Sequence, residues 1–504
     1  MGESRTSNSI KNISANILFQ LLTFVLSFVS RTVFLRTLGV GYLGINGLFN
    51  DVLSMLNLAE LGFGTAMTYS MYKPLAEKDY ETLAGLTHFY KKVYRIIALT
   101  IASIGILLIP FLPYIVNLEQ EIPHLELYYL LFLASNVASY LVTYKTTVMY
   151  ADQKNYIFVK YTAYWNVAQT ITLMLILIFT QNYILYLCVQ VGFVYASNFQ
   201  KSMVAQKRYP FIGNKVELPA EKKKGIFKDV GSAFLYKIAN VLITGTDNTL
   251  ISILVSTEMV GFYSNYQIIT ARIGTVVSTV FSSLITSIGN LLAQKNNERK
   301  FQVFQTMQSV CLMLTSFFVP CILLLQEDFI RVWLGEEFVL GNVALIAIVF
   351  KFYFEISMMP VTSFREAAGL FRKTKFLMLW TAIINIALSI VLGRQIGLAG
   401  IIFATSISKL LTSFWYEPRL LFKDYFNKPC RIYFSEMLQG LIKTLFIVCI
   451  VGVVSQYFVP EGWLALIGKG IIVAVLSLIA TIVLYCRTPG FELVLSKVKS
   501  IMKR

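Results

Sequence analysis

The strongest constraint in this sequence is a series of about fourteen apolar stretches, each long enough to cross a lipid bilayer as one helix. A helix rises about 1.5 Å per residue, so about 20 apolar residues span the hydrocarbon core. A helix also satisfies its own backbone hydrogen bonds, as hydrocarbon requires. The sequence therefore predicts an all-α polytopic membrane protein. The predicted spans are Asn12–Leu35, Tyr42–Tyr72, Val93–Val116, Leu125–Tyr150, Tyr156–Thr180, Tyr183–Phe199, Val230–Val255, Val260–Leu292, Phe304–Leu325, Gly341–Ala367, Phe376–Leu392, Ala399–Leu421, Phe434–Val459 and Trp463–Tyr485.

The composition excludes a soluble enzyme and a disordered chain. Of the 504 residues, 56% are hydrophobic and 14% are charged, whereas about 25% are charged in a typical soluble protein. Six scattered cysteines and two histidines give no disulfide or metal-site pattern. Phosphate-binding loops of the G-x-x-x-x-G-K-[ST] type and dinucleotide fingerprints are also absent from the sequence. We therefore expect a protein that is not an enzyme and has no cofactor or metal.

The charges between the spans predict the orientation. The termini and every second loop together carry about 31 Lys and Arg residues, whereas the other loops carry about three. Because cytoplasmic loops are enriched in Lys and Arg, both termini are predicted to be cytoplasmic. The longest basic loop, Lys201–Lys228, is then cytoplasmic as well. This rule explains the net charge of +17 without a nucleic-acid partner.

Two polar loop segments indicate an internal repeat. Leu75–Glu81 (LAEKDYE) follows the second span, and Leu292–Glu298 (LAQKNNE) follows the eighth, 217 positions later. The same shift aligns Gly44 with Gly261. Spans one to six are therefore predicted to repeat as spans seven to twelve, in parallel, around an axis along the membrane normal.

The repeat predicts the domain organisation. We expect two six-helix bundles that enclose a central cavity, plus a C-terminal helix pair outside the repeat. Two like bundles around a cavity are typical of transporters. The predicted boundaries are a first bundle at 1–205, a basic cytoplasmic linker at 206–228, a second bundle at 229–425 and the extra helix pair at 426–504.

Polar residues recur at helical spacing on one face of several spans. In lipid, such a face must meet protein or water. The stripes predict the walls of one aqueous cavity, although helix packing through small polar side chains also explains the serines and threonines. The stripes consist of Asn16, Gln20, Thr23, Ser27 and Arg31 in the first span, Lys237, Asn240, Thr244 and Asp247 in the seventh, and Arg272, Thr275, Thr279, Ser282 and Thr286 in the eighth.

Charged residues inside the spans give the sharpest functional signal. An Arg or Lys at mid-bilayer costs roughly 2.5–3.5 kcal/mol on insertion scales. Cations outnumber acids among these residues, so the cavity is expected to be electropositive. The candidate substrate-binding residues are Arg31, Arg272, Lys145, Lys409, Gln20 and Asn240, and the candidate coupling or ion-pair residues are Glu60, Asp247, Asp51 and Glu355.

Each of these candidates also has a structural explanation. Arg272 could pair with an acid such as Asp247. Lys145 and Lys409 could extend their side chains to the membrane surface. The intramembrane glutamates could equally carry a coupling ion or form interhelix hydrogen bonds.

The motifs in two regions resemble those of a known superfamily. Asn57–Gly64 (NLAELGFG) in the second span, and Asp247–Ser252 (DNTLIS) followed by Val260–Tyr266 (VGFYSNY), look like the polysaccharide-exporter branch. This branch belongs to the multidrug/oligosaccharidyl-lipid/polysaccharide (MOP) exporter superfamily, whose two parallel six-helix repeats the chain also resembles. The likeness extends over essentially the whole chain, but its motifs are diffuse.

The resemblance implies a Wzx-type flippase in the bacterial cytoplasmic (inner) membrane. Such a protein moves an undecaprenyl-diphosphate-linked oligosaccharide, the repeat unit of capsule or O-antigen, from the inner to the outer leaflet. The lipid tail would stay in the bilayer at a gate between the first and eighth helices while the bundles rock to alternate access. A polysaccharide polymerase and glycosyltransferases are the implied protein partners.

Three other functions remain open at this point. A flippase for peptidoglycan-precursor lipid suits a cationic cavity equally well. A cation-coupled multidrug exporter of the same fold would be expected to have a more acidic cavity. A membrane scaffold without transport activity fits poorly with paired intramembrane polar stripes.

The charge asymmetry yields a test of orientation. In intact cells, a membrane-impermeant thiol reagent should label Glu121→Cys and leave Lys223→Cys unlabelled until the cells are opened, because the two positions lie in loops of opposite charge bias. Both variants need a background without the native cysteines. Labelling of Lys223→Cys from outside would overturn the predicted orientation.

Overall fold

The computed structural model of this chain describes residues 25–60, 63–119, 122–152, 154 and 156–502. Helix is the only regular secondary structure in these residues. Eight helical segments within them are long and apolar enough to cross a membrane. The predicted class, an all-α polytopic membrane protein, is therefore confirmed. The eight segments are Tyr80–Ile115, Leu125–Ala151, Tyr161–Thr180, Asn297–Leu334, Asn342–Ala367, Lys373–Phe426, Arg431–Ser455 and Trp463–Tyr485.

The helices follow the predicted spans in order. Their bounds are α1 (25–38), α2 (Val40–Leu56), α3 (Phe63–Glu77), α4 (Tyr80–Leu107), α5 (Leu112–Ile115), α6 (Leu125–Ala151), α7 (Tyr156–Thr180), α8 (Tyr183–Arg208), α9 (Ala220–Gly245), α10 (Asp247–Leu254), α11 (Thr257–Leu292), α12 (Asn297–Leu334), α13 (Asn342–Ser357), α14 (Met359–Ala367), α15 (Phe371–Leu411), α16 (Ser413–Leu421), α17 (Arg431–Ser455), α18 (Trp463–Tyr485) and α19 (Pro489–Met502).

Predicted and observed bounds differ most where a helix continues beyond the apolar window. Helices α7 and α18 begin and end at the predicted residues, but α12 runs past both ends of its predicted span. Apolar windows mark only the part of a helix suited to hydrocarbon, and the polar turns that extend it are invisible to them. The amphipathic C-terminal helix α19 was not predicted for the same reason.

Five spans predicted as single helices are broken in the structure. The third is broken at Leu108 and the twelfth at Thr412. The second span has a 3₁₀ turn over Asn57–Glu60 between α2 and α3. The seventh is interrupted at Thr246, and the tenth at Met358, two residues before Pro360. Proline has no N–H for the preceding turn. The prediction of uninterrupted helices is wrong at these places, because the flanking residues are as apolar as those of an intact span.

The predicted eleventh and twelfth spans are joined within α15 by a tight reversal of the backbone. Ile396 and Gly397 leave the helical region there, and Gly397 has φ +60° and ψ −137°. A side chain is disfavoured in that conformation, so glycine is required at this turn. The turn replaces the longer loop that the sequence predicts between Leu392 and Ala399.

The described chain divides into two compact units. The first contains Met1–Val241 with Ser256–Gly261, and the second contains Leu242–Val255 with Phe262–Arg504. The division falls inside α9, and it gives the first residues of α11 to the first unit. The predicted repeat and linker boundaries stay predictions.

Within the first unit, the start of α11 lies directly on α2. A Cβ at Gly44 would be 1.9 Å from the Thr257 carbonyl oxygen, and one at Gly261 would be 2.6 Å from the Val40 carbonyl oxygen. Only glycine permits this approach of two backbones. The predicted repeat shift relates Val40 to Thr257 and Gly44 to Gly261. Under that shift the two close approaches are equivalent contacts, one from each helix.

The segment around Asn117 continues this contact within the first unit. The Thr257 amide donates a hydrogen bond to the Asn117 carbonyl at 2.7 Å, and the Asn117 amide donates to Thr257 Oγ1 at 2.9 Å. The Glu119 amide donates to Glu258 Oε1 at 3.0 Å. The segment after α5 therefore satisfies polar groups at the N-terminus of α11, which would otherwise lack partners.

Helix α12 organises the second unit. It packs against α13, α17, α18 and α19. A Cβ at Gly440 of α17 would lie 2.6 Å from the Leu312 side chain. Ser316 of α12 is hydrogen bonded to both Thr444 and Tyr485, at 2.8 and 2.9 Å. The C-terminal helix pair is thus an integral part of this unit.

A buried ion pair in the second unit provides a stability test. Arg365 Nη1 donates to Glu417 Oε1 at 2.6 Å, and the side chains are 5% and 1% exposed. Arg365→Met should lower the unfolding temperature strongly, because it leaves the buried Glu417 carboxylate without its partner, at a cost of about 3–5 kcal/mol. Adding Glu417→Leu should restore most of that loss. Thermal unfolding in detergent measures both.

The control is Lys428→Met, which removes the more exposed ion pair with Glu298 and should change the unfolding temperature little. An Arg365→Met protein that unfolds at the same temperature as this control would contradict the assigned role of the pair.

Candidate functional site

The sequence-predicted site residues occur in both units, and each unit is described separately. Gln20 lies outside the described residues. The first unit holds Arg31, Asp51, Glu60, Lys145 and Asn240, and the second holds Asp247, Arg272, Glu355 and Lys409.

Glu60 sits in the 3₁₀ turn that separates α2 from α3. The Tyr94 hydroxyl donates a hydrogen bond to Glu60 Oε1 at 3.0 Å. Tyr140 also interacts with this carboxyl group, and the Tyr94 and Tyr140 rings stack with centroids 6.4 Å apart. No Lys or Arg in the described part of the chain forms an ion pair with Glu60. The break thus presents a carboxyl group held by two neutral hydroxyls.

Arg31 lies beside a cluster of tyrosines in the first unit. It interacts electrostatically with Tyr186 of α8. Tyr186 stacks on Tyr183 at 5.8 Å, and Tyr183 contacts Tyr42 and Tyr128 edge-on at 4.9 and 4.8 Å. Aromatic rings offer a cation both an apolar wall and polarisable faces. The guanidinium is therefore placed against α8.

The other first-unit candidates have different surroundings. Lys145 donates hydrogen bonds to Ser202 Oγ at 2.8 Å and to Gln206 Oε1 at 2.9 Å, so its ammonium group links α6 to α8 through neutral oxygens. Asp51 is half-buried on α2, and Asn240 is exposed on α9.

Asp247 is the centre of a buried polar network in the second unit. Its carboxylate accepts a hydrogen bond from Lys351 Nζ at 2.9 Å and another from Thr405 Oγ1 at 3.1 Å. Asn385 Nδ2 donates to Thr405 Oγ1 at 3.3 Å. Three helices, α10, α13 and α15, therefore meet at one charge pair. Asp247 pairs with Lys351 and not with Arg272, the alternative that the sequence left open.

Glu355 and Lys409 form a second, looser pair. Glu355 Oε1 lies 3.6 Å from Lys409 Nζ, and the side chains are 45% and 24% exposed. The pair joins α13 to α15, and both of its side chains are partly exposed. Lys409 therefore has its charge partly compensated within its own unit.

Arg272 differs from these cations. Its side chain is exposed on α11, and it forms no ion pair with any of the described residues. Thr275, Thr279 and Ser282 follow at helical spacing and are also exposed. We call these four residues the α11 polar stripe. On a helix predicted to cross the membrane, a polar stripe is stable where it meets water.

Sequence reasoning missed the partners that hold the charges. Tyr94 and Tyr140 at Glu60 lie in apolar windows and look like ordinary aromatic positions. Lys469 in the last span pairs with Asp328 at 2.6 Å, although the sequence pattern did not single it out. Only the charge inside the apolar window could have drawn attention to Lys469.

No family model matches the chain, and no curated protein matches it. Solved structures do. MurJ, described as a lipid II flippase in an inward closed conformation, is 16% identical with a TM-score of 0.66, over 93% of this chain and 99% of that one. An inward-facing multidrug-resistance MATE transporter of the MOP superfamily is 14% identical with a TM-score of 0.59, over 79% of this chain and 94% of that one.

A third similar structure is a MOP-superfamily transporter from Pyrococcus furiosus. It is 13% identical with a TM-score of 0.53, over 83% of this chain and 94% of that one. At sequence identities this low, the structural similarity establishes the fold alone. The chain is thus a multi-pass membrane protein with the fold of MOP-superfamily transporters.

Proposed function

We propose that this protein is a flippase for undecaprenyl-diphosphate-linked oligosaccharide repeat units. It moves them from the inner to the outer leaflet of a bacterial cytoplasmic membrane by alternating access, for the synthesis of capsule or another surface polysaccharide. The observation that carries the proposal is the α11 polar stripe, in which an exposed Arg272 is followed by three exposed hydroxyls. An arginine binds a diphosphate through several donors at once, and hydroxyls suit sugars.

The charge pairing supports an anionic substrate. Asp247 is engaged by Lys351, and Glu355 by Lys409. Because these acids are already compensated, they do not offset the charge of Arg272. A transporter for cationic drugs would need acids that remain available to the drug. The acids of the second unit therefore give the multidrug-exporter alternative less support, whereas Glu60 of the first unit has no cationic partner among the described residues.

The second candidate function is a flippase for peptidoglycan-precursor lipid. The likeness to MurJ over 93% of this chain favours it. Both candidate substrates combine a lipid diphosphate with sugars, and they differ in the groups attached beyond the diphosphate. Glycosyltransferases that build the repeat unit and a polymerase that consumes it would be the partners in the first case.

The proposal makes Arg272 a substrate ligand. Arg272→Ala should weaken binding of a lipid-linked sugar about 10- to 100-fold, the worth of a charge-assisted hydrogen bond of roughly 1.5–3 kcal/mol. Arg272→Lys should restore part of it, because lysine has the charge without the planar fork. The measurement is flipping of a fluorescent lipid-diphosphate sugar in reconstituted vesicles.

The matched control is Arg394→Ala, an exposed arginine in a predicted outer loop. Protein level should be normal in both variants, because Asp247 keeps its partner Lys351. Well-folded Arg272→Ala protein that flips the lipid at the wild-type rate would exclude the proposed role. Faster flipping of a peptidoglycan-type lipid than of a capsule-type lipid would favour the second candidate over the first.

Glu60 is proposed to couple transport to a proton or cation. Glu60→Gln should slow transport and flatten its pH dependence while the unfolding temperature stays close to wild type, since the amide oxygen still accepts from Tyr94. Tyr94→Phe is the control, because it removes one hydrogen bond and retains the carboxyl group. A Glu60→Gln protein with wild-type export across the pH range would remove coupling from its role.

A further inference from the structure

A polar groove lies among the helices α6, α7 and α8 of the first unit. Lys145, which donates to Ser202 on α8, is close to it in sequence but does not line it. Its volume is about 430 Å³, within the usual range for small-molecule sites. We call it the α6–α8 groove. The residues that matter for its chemistry are Thr143, Thr146, Thr162, Asn166, Asn198 and Lys201.

The helix hydroxyls in the groove offer lone pairs. Thr143 Oγ1 donates its proton to the Ser139 carbonyl at 2.8 Å, and Thr146 Oγ1 donates to the Thr143 carbonyl at 3.1 Å. Each hydroxyl hydrogen is thereby used within the helix, and the oxygen can still accept. A ligand at these positions must supply hydrogen-bond donors.

Two side chains of α8 offer protons. Asn198 Nδ2 is buried and has no hydrogen-bond acceptor among the described residues. Lys201 lines the same groove, and within the described chain its ammonium group forms neither an ion pair nor a hydrogen bond. A buried donor without an acceptor is costly, so Asn198 Nδ2 favours a ligand with an acceptor. The half-buried Lys201 ammonium group favours a ligand with a negative charge.

The combination selects one class of ligand. An inorganic phosphate offers mainly acceptors and has no apolar face, so it satisfies Lys201 and Asn198 better than it satisfies the threonine oxygens. A sugar hydroxyl both donates and accepts. Tyr150 and Phe158 also line the groove, with ring centroids 6.4 Å apart, and such rings pack against the apolar faces of sugars.

We propose that the α6–α8 groove binds a sugar that carries one anionic group, with its hydroxyls at the threonines and its anion at Lys201. The anion is either a carboxylate of the sugar or a phosphate on its anomeric carbon. This inference rests on the proposed function and adds a sugar subsite to it. On the predicted orientation the groove begins at the cytoplasmic ends of its helices, where a lipid-linked sugar would arrive.

Binding to the purified full chain in detergent tests the proposal without any transport step. The probes are glucuronic acid, glucose 1-phosphate, glucose and inorganic phosphate. Titration calorimetry measures the affinity of each one. Tryptophan fluorescence is a second readout, because Trp165 lies next to Asn166 and its indole N–H donates to Gln200 on α8. The two anionic sugars identify the source of the charge, since the one that binds more tightly carries the preferred anion.

The expected result is that an anionic sugar binds at least tenfold more tightly than glucose and inorganic phosphate. Lys201→Gln should reduce the anionic-sugar affinity about 10- to 100-fold and change glucose affinity less than twofold. Thr143→Val should weaken both sugars. The matched control is Lys207→Gln, an exposed lysine on the same helix, which should leave every affinity unchanged.

Inorganic phosphate that binds as tightly as the anionic sugars would overturn the proposal, because it would indicate a simple anion site. Equal effects of Lys201→Gln and Lys207→Gln would overturn it as well. The two hypotheses fail separately. Sugar binding in a protein that does not flip the lipid-linked sugar would remove the proposed function, whereas flipping with no sugar binding at the groove would remove the subsite.

Discussion

The structure depends on one constraint, which is that hydrocarbon offers no partner to an unsatisfied polar group. Long helices meet it for the backbone, and they account for all regular secondary structure in the described residues. Two breaks within predicted spans carry an acidic side chain. Glu60 lies in the break between α2 and α3, and Asp247 begins the helix after the break at Thr246. Irregular backbone in a membrane protein is tolerated where it lies in protein or lines a water-filled space, so these breaks mark the positions where function is expected.

The same constraint explains the ion pairs of the second unit. Asp247 with Lys351, Arg365 with Glu417, and Lys469 with Asp328 each join two helices at distances of 2.6–2.9 Å. A buried charge pair adds little net stability but makes the loss of either partner expensive. These pairs therefore fix which helices pack together. They also remove acids from the set that could bind a substrate, and the exposed Arg272 is left with its charge uncompensated by them.

The first unit handles its polar groups differently. Lys145 and Glu60 are held by neutral oxygens and hydroxyls, so their charges are solvated but not cancelled. The α6–α8 groove follows the same principle with hydroxyls, amides and one lysine. Close helix contact here comes from glycines, at Gly44 and Gly261, instead of charge pairs. A unit built in this way can exchange neutral hydrogen-bond partners for a ligand without separating buried charges.

The sequence by itself determined the membrane class, the order of the spans and the candidate charges, because apolar length and the cost of a charge in lipid are local properties of the chain. Helices α7 and α18 have their predicted bounds for this reason. The sequence could not determine the breaks at Asn57–Glu60, Thr246 and Met358, since the flanking residues are equally apolar. Nor could it assign partners. Whether Asp247 meets Arg272 or Lys351 depends on which faces of α10, α11 and α13 pack together, and only the tertiary structure decides that, because residues about 100 positions apart must be brought within hydrogen-bonding distance.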